Sequence, residues 1–195
     1  MLRAPLSEAA VRSLRLGQEV RVSGTVHIGR DEVHLRALEM HENGEGLPVD
    51  LRDGILFHCG PIAVRDGDWR IIAAGPTTSA RMNSLEPAFI RAFGVRAIIG
   101  KGGMSKPTLE AMKEHGCVYL AMTGGAAVLA AQGIKAVKRV EWLDLGMPEA
   151  LWVVEADHLG PMIVAMDADG NSMYEAVDRR AEEALAKIKA GKAGR

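Results

Sequence analysis

VRAIIGKGGMSKPTLEAMKEHGCVYLAMTGGAAVLAAQ, residues 95–132, alternates short apolar runs with helix-like ones. VRAIIG at 95–100 reads as a buried strand and KPTLEAMKEH at 106–115 as a helix. CVYLAM at 117–122 is a second strand-like run, and GGAAVLAAQ at 124–132 opens on two glycines and continues as an apolar helix. Buried strands separated by helices are the pattern of an α/β layer with parallel pairing.

Working outward, residues 84–94 read as a further helix. Glu19–Ile28 reads as a strand, with β-branched Val20, Val22 and Val26 at period-two spacing. A helix is expected from about Asp31 to His41, with Val33, Ala37 and Met40 on one face, before the glycine-rich NGEG breaks the pattern. ILFHC at 55–59 and WRIIAAG at 69–75 are apolar runs, with RDGD between them as a hairpin-like turn signal. Leu6, Ala10, Val11 and Leu14 are spaced for a short amphipathic helix. Downstream, KAVKRVEWLDL and LWVVEADHLGPMIVAMDADG are β-rich. A last helix is expected from Ser172, capped by Asn171, with Tyr174, Val177, Ala181, Leu185 and Ile188 on one face. With 195 residues and no repeat or low-complexity linker, the whole chain, 1–195, is expected to form a single compact α/β domain.

Composition excludes several classes. The 24 basic and 25 acidic side chains are interspersed, for a net charge of −1, and the basic run from Lys187 to Arg195 suits a solvated helix end. A nucleic-acid binder would show a basic balance or stripe instead. No apolar stretch reaches the roughly 18 to 20 residues a membrane crossing needs. Glu8 interrupts the amino-terminal apolar run too early for a signal peptide, so a cytoplasmic location is expected. Cys59 and Cys117 are expected to be reduced, belong to no CxxC pair, and are too few to hold an iron–sulfur cluster.

Four segments carry chemistry. In AAGPTTSARMNS, 73–84, Gly75-Pro76 interrupts regular structure after an apolar strand. The hydroxyls of Thr77, Thr78 and Ser79 and the guanidinium of Arg81 then follow ahead of a helix. Such a junction aims backbone N–H groups and the helix dipole at an anion, and Arg81 adds a carboxylate clamp. The same residues also fit a capped helix with an exposed arginine. In IIGKGGMSKP, 98–107, a strand delivers Lys101 into glycines that let backbone approach a ligand, although neither GxxxxGK[ST] nor GxGxxG is present. MTGGAA, 122–127, repeats the strand–glycine–helix design. In GTVHIGRDEVH, 24–34, a strand ends at Gly29-Arg30-Asp31, with His34 one turn on. The six histidines form no HxH or HExxH cluster, and no nucleophile–base motif occurs. The three glycine junctions are expected to share one pocket for a small polyanion.

GTVHIGRDEVH, DGILFHCGP, AAGPTTSARM, IIGKGGM, TGGAAVLAA, WLDLGMPEALW and DADGNSMY, spanning residues 24–174, occur together in this order. In this the chain resembles the β subunit, or C-terminal domain, of the class I iron–sulfur fumarate hydratase and L(+)-tartrate dehydratase family. The resemblance implies a swivelling β/β/α domain and a separate α subunit holding a [4Fe–4S] cluster through three cysteines. It implies reversible hydration of fumarate to L-malate, with dehydration of L(+)-tartrate to oxaloacetate, or a non-catalytic dicarboxylate-binding scaffold, as alternatives. Carried over residue by residue, Thr77 is the general base, and Arg30, Arg81 and Lys101 contact substrate carboxylates. His34 matches the motif histidine and joins them as a binding residue. Ser79 falls outside this set.

Overall fold

The structure, a computed structural model, describes residues 1–193; Gly194 and Arg195, the end of the basic tail, lie outside the described residues. In chain order, β1 (Leu2–Arg3), α1 (Glu8–Arg12), β2 (Glu19–Gly29) and α2 (Asp31–Glu42) form the first quarter. β3 (Ile55–His58), β4 (Ile62–Asp66), β5 (Asp68–Ala73) and α3 (Glu86–Phe93) follow. The deciding stretch forms β6 (Ala97–Gly100), α4 (Lys106–His115), β7 (Val118–Ala121) and α5 (Ala127–Gln132). β8 (Ile134–Glu141), the long β9 (Leu151–Met166) and α6 (Met173–Ala193) complete the chain.

β2, β3, β6 and β7 pair in parallel, in that order. β9 then runs antiparallel to β7, to β2 and to β8, so the pairings close a circuit β2–β3–β6–β7–β9. Side-chain alternation explains why this circuit holds together. Ile55 and Phe57, Ala97 and Ile99, and Val118 and Leu120 point into one core with Val26, Ile28, Trp152 and Val154. Leu56, Ile98 and Tyr119 point the other way, under Phe89 and Ile90 of α3 and Leu109 and Met112 of α4. Strands buried on both faces must be apolar throughout, which is why they read as unbroken runs. Trp152 is fully buried, packs edge-on against Trp69 at 5.2 Å between ring centroids, and donates its indole N–H to the Met147 carbonyl at 3.0 Å.

Three local expectations are corrected. The hairpin joins β4 to β5 around Gly67, while the 55–58 run enters the main sheet as β3, between β2 and β6. The helix read at 84–94 starts two residues later, preceded by a 3-10 turn at Ser79–Met82, and the Gly124–Ala126 part of the 124–132 helix is also 3-10. At α6 the capping role falls to Ser172, whose Oγ accepts from the Glu175 N–H, whereas Asn171 donates to Asp167. The apolar face read on α6 is exposed at Val177, Leu185 and Ile188. Among the described residues no helix is long and apolar enough to cross a membrane.

Candidate functional site

The parallel strands end together. Gly29 of β2 is in register with His58 of β3, Phe57 with Ile99 of β6, and Gly100 with Ala121 of β7. The loops that follow therefore meet at one edge, the carboxyl end of the parallel strands, where α/β sheets characteristically bind ligands. The 76–79 loop threads back between them. Pro76 bridges to Cys59 and Thr78 to Lys101, the Thr77 N–H donates to the His58 carbonyl at 2.7 Å, and the Ser79 N–H to the Lys101 carbonyl at 3.0 Å. Glycine is required at the crossing, because a Cβ on Gly100 would overlap Ser79 Oγ. On the far side a Cβ on Gly124 would lie 3.2 Å from Lys101 Nζ, so the ammonium rests over the 123–126 turn. The three glycine junctions do converge.

Charge at this edge is partly compensated within the chain. Arg81 clamps Asp31 with two donors, Nε to Oδ1 and Nη2 to Oδ2, each at 3.0 Å. Arg30 Nε lies 2.6 Å from Glu149 Oε1 and 3.5 Å from Asp31 Oδ2, and its Nη1 fills the space a Cβ on Gly60 would take. Lys101 has no carboxylate partner among the described residues. It is the uncompensated cation of the edge. Thr77 is half-buried beside it. Thr78 and Arg81 are exposed at this edge, and a concavity of 510 Å³ lies elsewhere, between the β4–β5 hairpin and β8, lined by Asp66, Trp69, Arg70 and Lys135.

Directly beneath sits a fully buried polar cluster. Glu86 Oε2 is 3.0 Å from both His34 Nε2 and His58 Nε2. His34 Nδ1 is 2.9 Å from the Arg30 carbonyl, His58 Nδ1 is 2.9 Å from Ser79 Oγ, and the Tyr119 hydroxyl donates to that same Oγ at 2.9 Å. Burial by itself would raise the Glu86 carboxyl, but the two imidazoles outweigh it and hold the group well below its usual range. Burial likewise works against a charged His34, yet the Glu86 carboxylate raises it overall; for His58 burial wins and its basicity falls.

Of the residues singled out by sequence, Arg30, Thr77, Arg81 and Lys101 are brought to this edge. His34 lies beneath it, fully buried, with both ring nitrogens engaged inside the chain. Sequence reasoning does not bring Asp31, Glu149, His58, Ser79 and Glu86 together as a group. The GRDEVH, GPTTSARM, FHCG and LGMPEA stretches carry Asp31, Ser79, His58 and Glu149, while Glu86 lies in none of the motifs.

The family model described as Fumarase C-terminus matches residues 1–177. A protein of Methanocaldococcus jannaschii, provisionally named L(+)-tartrate dehydratase subunit beta, is 46% identical over 182 residues, 92% of this chain and 93% of that protein. The L(+)-tartrate dehydratase subunit beta of Escherichia coli K12 is 37% identical over 174 residues, 89% of this chain and 85% of its own length. A protein of Geobacillus stearothermophilus, provisionally named fumarate hydratase class I, is 42% identical over 190 residues; these cover 96% of this chain but 36% of that longer protein.

Proposed function

The chain belongs to the fumarase C-terminus family, and from that premise we propose that it is the β subunit of a hydro-lyase acting reversibly on fumarate and L-malate. One observation carries the proposal: Arg30, Thr77, Arg81 and Lys101, distant in sequence, share one strand-end edge. Lys101, uncompensated among the described residues, and the guanidinium donors of Arg30 and Arg81 around a hydroxyl suit the oxygens of a C4 dicarboxylate. The closed β circuit backed by helices agrees with the swivelling β/β/α description of this family.

Two features support a partner. Thr78 and Arg81 stand exposed at the edge on this chain alone, and the names of the two β-subunit relatives imply another subunit. The donors here are guanidinium, ammonium and hydroxyl, which fit substrate oxygens and not iron. Cys59 and Cys117 are buried, and burial pushes the Cys59 thiol up to about 12 and Cys117 higher still. A [4Fe–4S] cluster therefore falls to the α subunit, where it would supply a Lewis acid for the substrate hydroxyl.

This chain's own residues bind the substrate and handle one proton. Lys101 neutralises one carboxylate, and Arg81 Nη1, which has no partner among the described residues, is available to the other. In the dehydration direction Thr77 Oγ takes the proton from the carbon next to a carboxylate. The C–H electron pair becomes the new π bond while hydroxide departs from the neighbouring carbon. A free alcohol is too weak a base for this, so the proton on Thr77 must pass to an acidic group of the α subunit. Dehydration of L(+)-tartrate is the second reading, favoured by the names of two relatives.

Anaerobic reconstitution with the α-type partner tests both. The complex should hydrate fumarate or dehydrate L(+)-tartrate, and the isolated chain should do neither. Activity of the chain alone, or of the complex toward no C4 dicarboxylate, would sink the proposal.

A further inference from the structure

The buried cluster has no part in the reaction just described, yet hydrogen-bond arithmetic fixes its charge state. The Arg30 carbonyl can only accept, so His34 Nδ1 carries a proton. A carboxylate also only accepts, so His34 Nε2 donates to Glu86 Oε2 at 3.0 Å, while His58 Nε2 lies equally close to that oxygen at ion-pair distance without hydrogen-bond alignment. His34 is thus an imidazolium. Tyr119 donates to Ser79 Oγ, which leaves the Ser79 proton for His58 Nδ1 and makes His58 neutral. The result is one cation and one anion in a fully buried site. A second imidazolium, its ring 5.2 Å away, would leave an unpaired buried charge.

This cluster touches three of the four site loops through the main chain. His34 Nδ1–H holds the Arg30 carbonyl, the His58 carbonyl holds the Thr77 N–H, and the Ser79 N–H holds the Lys101 carbonyl. Resting on the reading of this edge as the dicarboxylate site, we propose that Glu86, His34, His58 and Ser79 are positioning residues: one buried ion pair, extended by His58 and Ser79, sets Arg30, Thr77 and Lys101 relative to one another. The groups facing the imidazoles are Glu86 and Phe89 from α3, Asp31 and Arg30 at the start of α2, and Ser79 and Tyr119. Asp31 adds a second carboxylate that favours the cation on His34. Because Asp31 also clamps Arg81, the fourth site residue is tied to the same assembly.

Two measurements decide it. Histidine-selective 15N NMR of the full wild-type chain near neutral pH should find His34 protonated at both ring nitrogens and His58 at Nε2 alone. Both rings neutral, or a stoichiometric divalent cation held by His34, His58 and Glu86, would overturn the assignment. Glu86→Gln, which keeps the shape and removes the charge, should speed hydrogen exchange at the Thr77 and Ser79 amides. In the reconstituted complex it should lower kcat/KM by roughly 100-fold, the scale of a misplaced reacting group. Met112→Ala, a cavity in the same apolar core, should match its loss of thermal stability while keeping kcat. Glu86→Gln at wild-type kcat/KM, or Met112→Ala equally inactive, refutes positioning. The NMR pattern and amide exchange do not need turnover, so an inactive wild-type complex would sink the substrate reading alone.

Discussion

Lys101 differs from the two arginines beside it in having no internal carboxylate among the described residues. Its removal takes away binding without leaving a buried anion behind, so Lys101→Met should raise KM for a dicarboxylate more than it lowers kcat. Arg81→Ala, by contrast, strands Asp31 and mixes two effects. Thr77→Ala should lower kcat by about 100- to 10,000-fold with little change in KM, as expected for a group acting only in the transition state. Steady-state kinetics of the reconstituted complex separates the three; a Thr77→Ala variant with wild-type kcat would place the base elsewhere. These residues are legible because each sits where glycine or proline interrupts an apolar pattern: Gly29-Arg30, Gly75-Pro76, Gly100-Lys101. The meeting of Glu86, His58 and Ser79 is not. Glu86 looks like an ordinary first-turn carboxylate of α3, and its histidine partners lie 52 and 28 residues away, 86−34 and 86−58, a separation that no local spacing encodes.

At the scale of elements, the β6–α4–β7 unit is readable because its strands are buried on both faces and its helix ends at Gly116 in the left-handed conformation. The partner of β3 is not, since an apolar run of four residues does not say which neighbour it joins. α6 shows the converse: its amphipathic spacing is real, but the described chain leaves that face uncovered. The crossing of the 76–79 loop over β6 gives a sharp test of how closely the elements are packed. Gly100→Ala would drive a methyl into Ser79 Oγ and bring it within 2.8 Å of the Tyr119 hydroxyl. Relief requires the loop or the strand to shift, at a cost of about 1–3 kcal/mol. Since Ser79 carries the hydrogen bond to Lys101, activity should fall with stability. Gly46→Ala, which meets nothing within 4 Å, should leave the thermal midpoint unchanged. Calorimetry of the two variants checks this, and equal midpoints would mean that the loop does not press on β6.

For the molecule as a whole, the buried histidines dictate how stability responds to acid. His27 and His58 are both held below their usual 6.5, burial being the largest cause in each, and His27 Nδ1 has no hydrogen-bond partner. The unfolded chain therefore binds more protons than the folded one as pH drops below about 6.5. Their contribution is complete above that value and is lost as pH falls toward their folded pKa values. Glu86 behaves in the same sense further down: its stabilisation is present above its ordinary 4.5 and is lost below it. His34 runs oppositely, because its folded pKa is raised. Its contribution is complete below 6.5 and fades as pH climbs through the raised value. The two limbs leave maximal stability near neutrality, with an acid limb that starts at the histidines rather than at the carboxylates. The thermal midpoint should therefore fall as pH is lowered from about 6.5 to about 5, before the carboxylates titrate. His27→Gln, which cannot take up a proton, should flatten that acid limb, while leaving the step below 4.5 that belongs to Glu86. A midpoint that stays level until the carboxylates titrate would show that the folded chain admits protonated His27 and His58 without cost.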